Sequence, residues 1–257
     1  MAAQTAFLEA DALGLTFASG LIALDRVSFK IAPGEFVAVV GPSGCGKSTL
    51  LRILAGLLQP TTGSLRATTA DAVHHSQSPD RVGIVFQEPT LLPWRTAVAN
   101  VALPLELGKV RGHETRRQAV QALANVGLAD FRQHFPHELS GGMRMRCSLA
   151  RALVTSPSLL LLDEPFAALD DISRQQLNED LRGLWLAQRF TAVFVTHNIA
   201  EAAFLSGRIL VMSPRPGRIV EEFEVPFAAV RDPLLRAEPE FARFTGAVSA
   251  VLRRAAA

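Results

Sequence analysis

The chain has 257 residues, 49% of them hydrophobic and 19% charged, with a formal net charge of +2. That length is ample for a buried core, and that charge is too small to argue for a nucleic-acid or anionic-lipid surface. No apolar run approaches the ~20 residues of a membrane-spanning helix, and Met1-Ala2-Ala3-Gln4-Thr5-Ala6 lacks the basic start and apolar core of a secretion signal. Cys45 and Cys147 show neither metal-ligand spacing nor a disulfide framework, so a soluble protein of a reducing compartment is expected.

In chain order, Leu13–Phe17 and Arg26–Ile31 alternate apolar with polar residues and read as antiparallel strands around a turn at Ser19-Gly20. Pro33-Gly34 then turns the chain into Phe36–Val40, an apolar β-branched run expected as a buried strand. Gly41-Pro42-Ser43-Gly44-Cys45-Gly46-Lys47-Ser48, followed by Thr49, fits G-x-x-x-x-G-K-[ST], and Ser48–Gly56 reads as a helix with a glycine stop. Strand, glycine loop and helix in that order form the context a phosphate-binding loop requires. Its glycines let backbone N–H groups converge on phosphate oxygens, and the helix N-terminus adds partial positive charge. Lys47 is expected to reach the β- and γ-phosphates, and the Ser48 hydroxyl to ligate Mg²⁺. Phe17 stands thirty positions before Lys47, where its ring reads either as core or as a stacking surface for a nucleotide base.

Residues 60–80 read as a turn and a surface excursion. His74 and His75 fall there; being adjacent, they cannot share a face, and a solvated loop is expected rather than a metal site. Val82–Phe86 is another buried strand, ending at Gln87. Pro89, Pro93 and Pro104 break up the segment through Glu106. Glu114–Val126 reads as a helix stopped by Gly127, and a further helix is expected from after Ser140 to about Val154. Leu159–Leu162 is a fully buried strand closed by Asp163 and Glu164; Ser173–Gln188 is helical; Thr191–Thr196 is a strand with His197 at its end. Arg208–Met212 and Arg218–Val220 form a closing hairpin around Ser213-Pro214-Arg215-Pro216-Gly217. Phe241, Phe244, Val248 and Val251 recur at helical spacing, as in a last amphipathic helix.

The phosphate loop, Gln87, Asp163-Glu164 and His197 all stand at strand ends, where ligands bind in open parallel sheets. Asp163 suits Mg²⁺, Glu164 a general base for the attacking water, and His197 a contact to the γ-phosphate. Each has a plainer reading alone: two acids can be a solvated strand end, and a lone histidine is more often structural.

Leu139-Ser140-Gly141-Gly142-Met143 lies 23 residues ahead of Asp163. Together with the phosphate loop, Gln87, Leu162-Asp163-Glu164-Pro165, Ala168-Leu169-Asp170 and His197, it resembles the ATP-binding subunit of ABC transporters over roughly residues 10–220. The resemblance implies an α/β fold: a phosphate-loop NTPase core of ABC type, an antiparallel β-subdomain and an inserted helical subdomain carrying the signature. The core would span about residues 8–87 and 157–222, the helical subdomain 88–156 and a helical tail 223–257. It implies a head-to-tail homodimer in which Ser140, Gly141, Gly142 and Met143 of one subunit meet the ATP held by the other. It gives Phe17 the base-stacking position, usually Tyr in the family. Gln87 takes the metal-and-sensor position, Glu164 that of the base and His197 that of the switch.

Met143 replaces the usual glutamine, removing a polar amide near the nucleotide, and Cys45 would make the loop sensitive to thiol reagents. Gln87-Glu88-Pro89-Thr90-Leu91-Leu92-Pro93-Trp94, the signature with Met143-Arg144, and Ser213–Arg218 are similar to the nitrate, sulfonate and taurine importer ATPases. In that family the segment after Gln87 adjoins the membrane permease, making Leu91, Leu92 and Trp94 candidates for the contact; Trp94 could equally pack on the helical subdomain. The 37 residues beyond Val220 are expected to be too few for the regulatory β-barrel that many sugar-importer ATPases carry. The expectation is an ATPase subunit on the cytoplasmic face of the inner membrane. Permease subunits and, indirectly, a periplasmic or lipid-anchored binding protein would be its partners, with no nucleic acid. The competing readings are a soluble ABC-type ATPase and a phosphate-loop small-molecule kinase. The kinase would leave the signature and His197 unexplained. The cargo could be sulfonate, taurine, nitrate, bicarbonate or a pyrimidine vitamin precursor.

Overall fold

A computed structural model describes residues 7–67, 82–108 and 112–256, so His74, His75 and Met1–Ala6 lie outside the described residues. The chain opens with β1 (Leu8–Thr16), β2 (Ile22–Ile31), β3 (Phe36–Val40), α1 (Lys47–Leu54), β4 (Thr62–Ala67) and β5 (Val82–Val85). It continues through α2 (Ala97–Leu107), α3 (His113–Asn125), α4 (Gly141–Leu153), β6 (Leu159–Asp163) and α5 (Asp171–Gln188). It closes with β7 (Thr191–Thr196), α6 (Ile199–Leu205), β8 (Arg208–Met212), β9 (Ile219–Glu224) and α7 (Pro239–Ala256). Two compact units result, one from residues 1–77 and 189–257, the other from residues 78–188.

The first unit contains an antiparallel sheet in the order β2-β1-β4 and a run of strands β7-β3-β8-β9. β3 is parallel to both neighbours, with Val40 opposite Thr196 and Val211, so all five of its residues are buried. That accounts for its unbroken apolar composition. β9 joins antiparallel to β8, as the hairpin reading requires. Phe17 N donates to Leu21 O at 2.9 Å and Gly20 N to Phe17 O at 2.8 Å, closing the turn between β1 and β2.

Two strands of this sheet depart from expectation, each for its own reason. β1 begins at Leu8 rather than Leu13, because its register shifts between Ala10 and Leu13 and Ala12 takes φ 48°, which breaks the alternation. β4 lies inside the stretch expected to be a surface excursion. It is an exposed edge strand whose pairing with β1 is carried by backbone, not by an apolar pattern. A Cβ at Gly63 would come 2.3 Å from Ala12 O, so only glycine allows that approach.

The tail docks on this unit. Phe241, Val248 and Val251 of α7 are buried, and Phe227 lies 5.5 Å from Phe241 and 5.6 Å from Phe244 between ring centroids. Arg231 donates to Ala203 O and Ser206 O, each at 2.8 Å, satisfying carbonyls at the end of α6.

In the second unit β5 and β6 pair in parallel, Val85 opposite Leu162. α2, α3 and α4 share an apolar core that includes Val101, Leu123, Leu139 and Cys147. α2 is the element the prolines concealed. Pro104 sits inside it, and a helix-interior proline costs about 3 kcal/mol. Burial of Val98, Val101 and Leu105 contributes about 1.5–3 kcal/mol each and outweighs that loss. α2 is apolar on nearly every face, so it carries no helical periodicity to read. α6, at seven residues, is too short to show one.

Candidate nucleotide site

The phosphate loop begins where β3 ends. Gly44 has φ 74° and Gly46 φ 112°, left-handed values that favour glycine. A Cβ on Gly41 would lie 2.8 Å from Cys45 Sγ, and one on Gly46 would lie 2.8 Å from Leu24 Cδ2 and 2.9 Å from Ala23 O. The glycines therefore let the loop fold back on itself and press against β2. Gly46 is the N-cap of α1 and offers no side-chain cap, so the helix N-terminus that follows the loop carries no capping side chain. Lys47 is 4% exposed, and its Nζ donates to Gly41 O at 2.9 Å and Pro42 O at 3.1 Å. Ser43 and Gly44 form the open rim, Ser48 and Thr49 are half-buried, and Cys45 is buried. This cradle fits a nucleotide phosphate: donors, a held ammonium and no side chain in the way.

His197 follows β7, whose end lies beside that of β3. Its turn is fixed by groups the sequence does not single out. Thr196 Oγ1 donates to the buried Glu201 carboxylate at 2.8 Å, and Asn198 Oδ1 accepts from Ala200 N at 2.9 Å and Glu201 N at 3.2 Å. Phe17 is 39% exposed just beyond β1, past the pair Leu15–Leu24 whose Leu24 touches Gly46. The first unit thus brings the loop, Lys47, Ser48 and His197 to one end of its parallel strands, with Phe17 on the neighbouring hairpin.

The second unit carries the remaining candidates. Val85 pairs with Leu162, so the exposed Gln87 and the half-buried Asp163 and Glu164 follow adjacent strand ends. Glu164 has φ 45°, a left-handed backbone that costs a residue with a side chain on the order of 1–3 kcal/mol. Ser140 caps α4, its Oγ accepting from Met143 N at 3.3 Å. Gly141 and Gly142, in the first turn, have no intrahelical acceptor for their N–H groups. The Met143 side chain packs against the apolar core of α2–α4, which is the physical reason a methionine suits this position.

The segment after Gln87 is clamped from two helices. Asn100, fully buried in α2, accepts from Leu92 N at 2.7 Å and donates to Leu92 O, Arg95 O and Thr96 O at 3.1, 2.9 and 3.1 Å. Arg151, near the end of α4, donates to Thr90 O, Pro89 O and Thr90 Oγ1 at 2.8, 2.9 and 3.0 Å. Trp94 is left 72% exposed. Neither clamp is legible in sequence, since one buried asparagine in an apolar run marks only that it needs partners. Asn100→Ala is expected to cost about 2–4 kcal/mol of stability, read as a lowered thermal midpoint with faster hydrogen exchange at Leu92. An unchanged midpoint would contradict this accounting.

The expected thiol sensitivity does not follow from the geometry. Cys45 is 1% exposed and Cys147 fully buried, and burial pushes the Cys147 thiol up to about 12. The thiolate is the reactive form. Both cysteines are expected to resist an aromatic disulfide reagent at neutral pH until the protein is unfolded; rapid labelling of the native protein would overturn this.

A strand, a glycine cradle around a buried lysine and an uncapped helix N-terminus define a phosphate-loop nucleoside triphosphatase. A profile of the ABC transporter family matches residues 24–167, and the chain belongs to that family, whose cassettes bind and hydrolyse ATP. It is 46% identical over 235 residues to the taurine import ATP-binding protein of Rhizobium johnstonii, covering 90% of this chain and 88% of that one. It is 47% identical over 227 residues to an aliphatic sulfonates import ATP-binding protein of Mesorhizobium japonicum, with coverages of 88% and 82%. Among solved structures, a dimeric ATP-binding cassette in a post-hydrolysis state, bound to ADP and Pi, aligns with TM-score 0.73 at 33% identity, covering 86% of this chain and 100% of that one. CbiO1 of Clostridium perfringens, part of an ABC transporter complex, aligns with TM-score 0.78 at 26% identity, covering 94% and 95%. Among the described residues, no helix is long and apolar enough to cross a membrane.

Proposed function

We propose that this chain is the ATP-hydrolysing subunit of an importer for small sulfonates, taurine among them, acting as a homodimer on the cytoplasmic face of the inner membrane. The observation that carries the ATPase half is the phosphate loop, in which Lys47 is buried and held by the Gly41 and Pro42 carbonyls. The importer half is supported by the likeness to taurine and sulfonate import subunits over most of the chain.

In this reading Gly41, Pro42, Ser43, Gly44, Cys45, Gly46, Lys47, Ser48 and Thr49 hold the triphosphate, and Phe17 stacks on the base. Ser48, Gln87 and Asp163 hold Mg²⁺, a fit with the ion's preference for oxygen donors. Mg²⁺, when bound, neutralises charge on the phosphate oxygens. Glu164 accepts a proton from the attacking water, and His197 hydrogen-bonds the γ-phosphate. Ser140, Gly141, Gly142 and Met143 of the second copy close over the same phosphate from the N-terminus of α4. Of these, Ser140 supplies a hydroxyl and the glycines their N–H groups, while Met143 anchors the turn.

The permease surface fits the second unit. A groove of about 460 Å³ between α2 and α3 is lined by Val98, Ala102, Glu106, Thr115 and Arg116. Among the described residues, Thr115 Oγ1 is buried there without a hydrogen-bond partner. A groove that carries both apolar and charged side chains suits an amphipathic helix of a partner protein, and the exposed Trp94 with the half-buried Leu91 and Leu92 are further candidates for that contact. A binding protein outside the membrane would select the cargo and meet this subunit only through the permease.

The test is a pull-down of the tagged protein from detergent-solubilised native membranes, with co-purifying chains identified by mass spectrometry. A polytopic membrane protein whose associated binding protein takes up taurine or an alkanesulfonate is expected. A preparation that hydrolyses ATP yet recovers only soluble partners would replace this reading with a cassette detached from membranes.

A further inference from the structure

The hairpin loop between β8 and β9 is built against the phosphate loop. Arg215 Nη2 and Nε donate to Gly44 O at 2.7 and 3.1 Å, while on the other side of the same peptide Cys45 N donates to Pro42 O at 3.3 Å. Both ends of the Gly44–Cys45 peptide dipole are therefore held, one by the hairpin and one by the loop itself. Gly217 closes the contact: a Cβ there would lie 2.3 Å from Cys45 O, so the hairpin backbone rests directly on the loop. The hairpin is anchored in turn. Gly217 N donates to Ala23 O and Asp25 N to Gly217 O, each at 3.0 Å, and Arg218 Nε donates to Asp25 Oδ2 at 2.9 Å. Ala23 and Leu24 are the residues of β2 against which Gly46 presses.

We propose that Arg215 is a positioning residue for the nucleotide: it holds the Gly44 carbonyl so that the phosphate loop stays in its binding conformation before a phosphate arrives. Glycine at φ 74° has the widest alternatives of any residue, and left alone it samples them. Without Arg215, the cost of ordering the Gly44–Cys45 peptide falls on nucleotide binding. Once phosphate fills the cradle, its own hydrogen bonds impose the same conformation. The effect therefore belongs to affinity and not to turnover. Arg215 does not touch the reacting atoms; it acts through Gly44. The exposed side chain makes the interaction a modest one.

The experiment compares Arg215→Ala, Arg215→Lys and, as a control for lost surface charge, Arg243→Ala, an exposed arginine of α7. Dissociation constants for MgATP and MgADP are measured alongside steady-state KM and kcat and the thermal midpoint. For Arg215→Ala both dissociation constants and KM are expected to rise about five- to tenfold, with kcat within about twofold of the parent. The two nucleotides should shift by the same factor, because they share the phosphates nearest the loop. Arg215→Lys, retaining one donor for Gly44 O, should fall between Ala and the parent, and Arg243→Ala should match the parent. Hydrogen exchange at Gly44–Gly46 should quicken in nucleotide-free Arg215→Ala and return to the parent rate when saturated. Unchanged affinity, or a fall in kcat with KM unmoved, would overturn the proposal. So would a lowered midpoint with equal effects of Ala and Lys, which would make Arg215 a structural contact only.

Discussion

Glu164→Gln is expected to slow ATP turnover by about 10²- to 10⁴-fold while leaving nucleotide affinity near the parent value. Glutamine keeps the volume and one acceptor oxygen of the carboxylate but cannot take a proton at neutral pH. The backbone at this position is already left-handed, with φ 45°, and glutamine inherits that strain unchanged, so the fold should not suffer. The strain itself is informative. Asp163 still belongs to β6, and the turn at Glu164 re-aims the next side chain away from the strand's alternation. With hydrolysis blocked, the ATP-bound dimer should accumulate and be visible by size-exclusion chromatography in MgATP. A variant that turns over like the parent would remove Glu164 from the role of base.

Lys47→Ala is expected to weaken MgATP binding by about 10²-fold or more, and hydrolysis with it. Hydrogen bonds to Gly41 O and Pro42 O fix the direction of the buried ammonium, and its positive charge inside the loop is what attracts phosphate. Alanine removes the charge and leaves both carbonyls without that donor, so the loop loses its attraction for phosphate and its internal tie. The rest of α1 remains seated through Leu50, Leu51, Ile53 and Leu54, all buried, so the circular dichroism spectrum should be unchanged. Hydrolysis within tenfold of the parent would contradict the assignment. The contrast with Glu164→Gln is diagnostic: one variant fails to bind, the other binds and fails to turn over.

Local chemistry explains which elements the sequence shows. β3, β6 and β7 are enclosed on both faces, so their composition alone marks them as strands. α4 announces itself through Ser140 at the N-cap, and α3 through Gly127, whose φ is 73°. α2 and β4 were hidden for opposite reasons. α2 is buried too completely to show a polar face, and β4 is exposed too completely to show an apolar one. In both, a partner supplies the order: α3 and α4 for α2, β1 for β4. The candidate residues were legible because phosphate chemistry demands particular types at fixed offsets, whereas their supports were not. Arg151 and Arg215 reach acceptors 61 and 171 residues away, separations that no local pattern encodes, while Asn100 and Glu201 hold near neighbours through turns whose course the side-chain types do not announce.

By itself, then, the sequence determined the phosphate loop, the strands that end at it and the family to which the chain belongs. Glycine conformation, lysine placement and strand burial are short-range constraints written into consecutive residues. Only the tertiary structure decided that the β8–β9 hairpin braces the loop, that Asn100 and Arg151 clamp the segment after Gln87, and that Cys45 is shielded. The bracing and clamping contacts pair backbone carbonyls with side chains 4 to 171 residues away. Because every residue carries the same carbonyl, the sequence has no means of naming which one an arginine or asparagine will find.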